Sequence, residues 1–198
     1  AMLMRQQARG LEIHYCPRDI GPYKKLIPAL SLCPDDLLVT VDDDVMYPVD
    51  TLDLLYRTHL QYPSEVVANR GHQLLRDRHG RVMPYKQWPK GVQLCSPSAD
   101  VFPVGIGGVL YPPGALHPDV VKEEVFMSQC PGADDIWLKA MAMRAGTQSV
   151  VVPNHRPWLK RYLFIESSQM FALKRKNKCP QTGNDAKLAA VFSTFGLS

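Results

Sequence analysis

The stretch Leu37-Leu38-Val39-Thr40-Val41-Asp42-Asp43-Asp44-Val45 decides how this fold is read. Five apolar or β-branched residues run directly into three carboxylates, and Tyr47-Pro48 follow shortly after. A short apolar run with polar punctuation reads as a buried strand of an α/β sheet. In open α/β sheets the ligand sits beyond the carboxyl ends of the strands, which is where the triplet falls. Three adjacent carboxylates repel one another, and a dry strand end tolerates them only with a cation or a proton. Period-two alternation puts Asp42 and Asp44 on one side and Asp43 on the other. The triplet is therefore either a divalent-metal site built on Asp42 and Asp44 or an acidic turn closing the strand.

Working outward, the 198 residues suit one domain, 1–198, with a real core, and 45% hydrophobic and 21% charged content is ordinary for a globular protein. No apolar run reaches the roughly 20 residues needed to span a bilayer, and no signal-peptide pattern opens the chain. The five cysteines are scattered and never form a Cys-x-x-Cys pair, which argues against a zinc ribbon or a disulfide framework and for a reducing compartment. Between Arg156 and Lys178 seven basic residues face the single acid Glu166, more than the net charge of +4 for the whole chain. The basic balance thus belongs to one segment, and a general nucleic-acid binder is not indicated.

Upstream of the triplet, Ala1 to Gly10 reads as the tail of a helix and Leu11 to Tyr15 as a strand. Tyr23 to Leu30 reads as a short helical segment interrupted by Pro28. Its lysines, Lys24 and Lys25, could hold phosphate oxygens or simply be solvated. Downstream, Pro48 fits a first helical position, with Val49, Leu52, Leu55, Tyr56 and Leu60 as an apolar stripe. Glu65 to Asn69 is a strand, and His72–Arg76 and Arg81–Tyr85 flank a four-residue turn as a hairpin. Gln87 to Asp100 is a loop. Three glycines, Gly105, Gly107 and Gly108, break an apolar run and mark a bulge or a close approach to the backbone. They open no helix, so they are no dinucleotide fingerprint. Asp134-Asp135 open the clearest helix, which Gly146 ends, either as capping acids or as part of a site. Thr147 to Val152 is a strand, His155 follows it in a loop, and an amphipathic helix runs from Asp185 to about Phe195.

A strand ending in Asp-x-Asp, a Gly-rich strand, an acidic pair opening a helix and a later His, in that order, resemble the GT-A glycosyltransferases. The run Gly21 to Leu30, Asp42-Asp43-Asp44-Val45 and the ending Asn184-Asp185 look closest to bacterial enzymes of lipopolysaccharide or capsular polysaccharide synthesis. The resemblance implies an α/β fold, a GT-A-like (Rossmann-like) mixed sheet flanked by helices. It also implies transfer of a sugar from a UDP- or GDP-linked donor to a hydroxyl of a glycan or lipid-linked glycan. In that family Asp-x-Asp holds the ribose and a Mn²⁺ or Mg²⁺ ion on the diphosphate. Carried over, Asp42, Asp44 and His155 become metal ligands, and Asp42, Asp43, Lys25, Gly107 and Gly108 line the donor. Asp135, with Asp134 as second choice, becomes the base on the acceptor hydroxyl. The chain begins where the family's first strand-helix-strand would already have ended. A cytoplasmic location is expected, and the basic segment, with Trp158, Tyr162, Phe164 and Phe171, either docks on an anionic membrane face or is a solvated basic loop and strand. Two other readings stand beside this one. The first is a non-catalytic glycan- or partner-binding remnant. The second is a phosphohydrolase of the haloacid dehalogenase type with Asp42 as nucleophile and Asp44 as acid/base.

Overall fold

The computed structural model describes residues 2–153, 160–165 and 182–197. Its centre is a four-stranded mixed sheet ordered β1 (Leu38–Thr40), β6 (Val109–Tyr111), β3 (Val66–Ala68) and β7 (Ser149–Val151). β6 is antiparallel to both β1 and β3, while β7 is parallel to β3, so β1, β3 and β7 share one direction. Two further two-stranded pairs flank it. β2 (Val45–Met46) pairs with β8 (Leu163–Phe164), and β4 (Gly71–Gln73) pairs with β5 (Val101–Pro103).

Successive strand residues point to opposite faces, and both faces of this sheet are covered. Val67, Leu110 and Val150 pack with Leu55 of α3 (Thr51–Gln61) on one side. Val66, Ala68, Val109 and Tyr111 pack on the other with Ile136, Ala140 and Met141 of α5 (Asp134–Arg144). That double burial is why the strands read as unbroken apolar runs. α6 (Asn184–Phe195) lays Leu188, Val191 and Phe192 into the same cluster, so α5 is enclosed between sheet and helix. Its residues from Ile136 to Ala142 are all buried, Lys139 among them. The shorter helices are α1 (Met2–Gln7), α2 (Ile27–Leu32) and α4 (Glu123–Gln129). No helix among the described residues is long and apolar enough to cross a membrane, and Cys16, Cys33, Cys95 and Cys130 are free.

Several expectations are corrected. Leu11 to Tyr15 forms no strand; among the described residues no strand pairs with it, and Tyr15 is 91% exposed. Pro28 does not interrupt a helix. A 3-10 helix, Gly21–Lys25, ends at Leu26, and Pro28 sits in the first turn of α2, where its missing N–H costs nothing. α3 starts at Thr51 rather than at Pro48, and it buries Thr51, Leu55 and Thr58. Of the expected stripe Leu55 is buried, whereas Val49, Leu52, Tyr56 and Leu60 are exposed. The hairpin survives from its tip back to Leu75 and Met83: the Met83 N–H donates to the Leu75 carbonyl at 2.8 Å, Arg76 bridges Val82, and the Asp77 carboxylate accepts the amides of His79 and Arg81. Its first arm pairs instead with β5, where His72 lies opposite the buried Phe102.

Candidate functional site

Asp42 follows β1, Asn69 follows β3 and the Gly105–Gly108 turn precedes antiparallel β6, so all three lie at one end of the sheet. Lys25 reaches this end because its 3-10 helix is pinned from below. Tyr23 is 1% exposed, stacks on Phe126 at 4.0 Å and donates its hydroxyl to the Cys130 carbonyl at 2.7 Å. Lys25 Nζ then pairs with Asp42 Oδ1 at 2.5 Å and lies 3.8 Å from Asp134 Oδ2. Burial works against its ammonium, yet the carboxylates of Asp134, Asp42 and Asp135 outweigh that and hold its pKa above the ordinary lysine value.

Asp135 faces the glycine turn. Its Oδ1 accepts the Gly105 N–H at 3.0 Å, and a methyl group on Gly105 would stand only 2.8 Å from the same oxygen. The close approach that the glycines signal is thus the approach of a carboxyl group from α5. Burial first and repulsion from Asp134 second push the Asp135 carboxyl up to about 8, against the pull of Lys25 and the Gly105 amide. Asp134 is raised too, by burial, with Lys25 opposing and Asp42 reinforcing. Three carboxylates share one ammonium here, and a retained proton is the natural way to reduce the repulsion.

The floor between Asp42 and the glycines is held by Tyr47. Its hydroxyl accepts the Asp42 N–H at 2.8 Å and donates to the Ile106 carbonyl at 3.1 Å. Burial pushes its phenol up to about 12. Tyr162 donates to the Gly107 carbonyl at 3.2 Å and meets Tyr47 edge-on. Gly108 turns with φ +87°, and a Cβ there would lie 3.7 Å from Asn69 Nδ2, the Thr40 carbonyl and Tyr47.

The structure therefore brings together Asp42, Lys25, Asp134, Asp135, Gly107 and Gly108. Asp43 is exposed, whereas Asp44 is half-buried in the turn after β1. His155 lies outside the described residues, as does most of the basic segment. Of its basic residues Lys160 and Arg161 are described: Lys160 is exposed, whereas the Arg161 side chain is 5% exposed and pairs with Asp50 Oδ1 at 2.6 Å. Among the described residues no three His, Cys, Asp or Glu side chains converge to hold a metal. The donor set of Asp42 and Asp44 does suit a hard dication, which prefers carboxylate oxygens and keeps several waters. In this structure Asp42 is neutralised by Lys25, which a dication there would have to displace or share.

Sequence reasoning missed Tyr47, Tyr162, Asn69 and Arg70. Burial lowers the Arg70 pKa, and the charges of Tyr85 and Asp135 act on it in the opposite sense. Asn69-Arg70 were within reach of the rule that found the triplet, since they follow the apolar Val66-Val67-Ala68 as Asp42 follows β1. Compared with models of known protein families and with curated proteins, the sequence matches none.

Proposed function

We propose that this chain takes part in metal-dependent glycosyl transfer, moving a sugar from a UDP- or GDP-linked donor to a hydroxyl of a glycan acceptor in surface-polysaccharide synthesis. The observation that carries the reading is the Asp42–Lys25–Asp134–Asp135 array against the Gly105 turn. It sets a cation-holding strand end opposite a protonatable carboxyl group, which is what acid–base transfer at a diphosphate leaving group needs.

Asp42 and Asp44, with His155, are the residues that would hold Mn²⁺ or Mg²⁺. When bound, such an ion offsets the charge that grows on the departing diphosphate. Lys25 is a second, fixed positive charge beside Asp42, suited to a phosphate oxygen. Asp135 is oriented through Oδ1 by the Gly105 amide, which leaves its other oxygen to accept a proton from the attacking hydroxyl. Its proton affinity lies near neutrality, where a base both takes and releases a proton readily. Asp134 repels that carboxylate and so helps keep its affinity for the proton high.

Calorimetry with Mn²⁺ present tests the reading. UDP or GDP should bind, and Asp44→Asn should abolish that binding. If neither nucleotide binds the wild-type chain with metal, the transferase reading is wrong. Hydrolysis of p-nitrophenyl phosphate that disappears in Asp42→Asn would put a phosphohydrolase in its place.

A further inference from the structure

Asn69 stands immediately beyond β3 and donates its backbone N–H to the Gly108 carbonyl at 3.1 Å. The residue is 5% exposed. Both polar atoms of its side chain, Oδ1 and Nδ2, are shielded from solvent, and neither has a hydrogen-bond partner. Other buried residues leave single polar atoms unmatched, but among the described residues Asn69 is the one with both ends orphaned. Buried polar groups are almost always paired, and one that is not calls for a missing partner or a function.

The position narrows which. The amide nitrogen lies 3.7 Å from where a Cβ on Gly108 would stand, and that point is equally close to the Thr40 carbonyl and to Tyr47. Tyr47 in turn holds the Asp42 amide and the Ile106 carbonyl. The carboxamide therefore lies against the floor shared by the acidic strand end and the glycine turn, where glycine at position 108 lets the backbone pass at close range.

Chemistry narrows it further. A carboxamide presents an acceptor oxygen and a two-donor nitrogen in one plane. A metal ion would satisfy only the oxygen and leave the nitrogen orphaned. A phosphate would satisfy only the nitrogen and leave the oxygen orphaned. Neighbouring hydroxyls of a sugar donate and accept, and so match both ends. We propose that the Asn69 carboxamide is a specificity-determining residue of this site that hydrogen-bonds adjacent hydroxyls of the donor hexose. This inference rests on the transferase reading and adds to it the residue that senses the sugar rather than the diphosphate.

Asn69→Leu keeps the approximate shape and removes both polar ends. Its thermal midpoint without ligand should rise by a few degrees, because an unmatched amide is exchanged for an apolar group. Calorimetry with Mn²⁺ should compare UDP with UDP-glucose and GDP with GDP-mannose. In the wild type one hexose-bearing nucleotide should bind at least tenfold more tightly than its bare diphosphate. In the variant that difference should vanish while the diphosphate alone binds as before. If the variant keeps the preference, or if its midpoint falls, the amide is matched inside the protein and the inference is overturned. If the wild type binds no diphosphate at all, the transferase reading falls first and takes the inference with it. Asn69→Ala repeats the binding comparison with a smaller side chain and should lose the same preference.

Discussion

Asp135 is the residue at which charge and structure are most at odds. Its carboxyl group keeps a proton up to about pH 8, against an ordinary value of 3.8. Between those values the folded protein holds a proton that the unfolded chain has released, so this group's contribution to stability falls as pH rises from about 4 to 8. Asparagine has the same shape, stays neutral and can still accept the Gly105 N–H. Asp135→Asn should match the wild type near pH 4 and exceed it at pH 8 by at least about 1 kcal/mol, or roughly 2–4 °C in midpoint. Thermal melts across that range check this, and an equal gap at every pH would refute it. If Asp135 is the base, the same substitution should lower transfer by about 10²–10⁴-fold. A variant that gains stability while losing activity marks a group kept for function. From the sequence, Asp134-Asp135 could be read equally as helix caps, and Lys25 as one of two surface lysines. What separates these options is Oδ1 of Asp135 reaching Gly105 and Nζ of Lys25 reaching Asp42. Neither contact leaves a trace in local spacing.

At the scale of elements, the Gly105–Gly108 turn shows how a backbone choice serves a side chain elsewhere. A strand continuing from β5 into β6 would put a Cβ at position 105 against the Asp135 carboxyl group. Gly105→Ala must shift that carboxyl group and so strain its bond to the Gly105 amide. Overpacking of this kind should cost about 1–3 kcal/mol in denaturant melts. In an Asp135→Ser background, where the obstructing oxygen is withdrawn, the same substitution should cost clearly less, with a coupling of about 1 kcal/mol or more. Equal costs in the two backgrounds would show that the glycine is there for another reason. The sequence showed that the run had to break, because three glycines weaken any strand. It did not show what the break makes room for. The hairpin is the converse case. Its turn chemistry was legible in Asp77 and Gly80, but the partner of Gly71–Gln73 was not, since β5 offers the more deeply buried surface.

The whole molecule is held by layers on both faces of the sheet, and α5 is the element on which this depends. It presents Asp134 and Asp135 at its first turn, packs on the sheet, and is closed over by α6, with Phe195 edge-on to Trp137. Phe192→Ala removes a ring that is 3% exposed at that closure. It should cost about 3–5 kcal/mol. Denaturant unfolding should show a lower midpoint with an unchanged slope, the sign of lost stability rather than of a changed unfolded state. A shift under about 1 kcal/mol would mean that α6 is not a structural lid on α5.

By itself the sequence determined the features whose cause is local. These are the apolar strand ending in acids, the α5 segment with its glycine stop, the α6 segment, and the turn at Asp77. Hydrophobic period, helix-ending glycines and side-chain-to-backbone turns act over a few residues and are written in the order of residues. Only the tertiary structure decided which strands pair, which face of α3 is buried, and how the acids are distributed. Tyr23 anchors Lys25 by a bond to Cys130, 107 residues away, and so determines that the lysine stands among three carboxylates. A carboxylate's affinity for a proton depends on its burial and its neighbouring charges, and both are set by distances that the chain order does not contain.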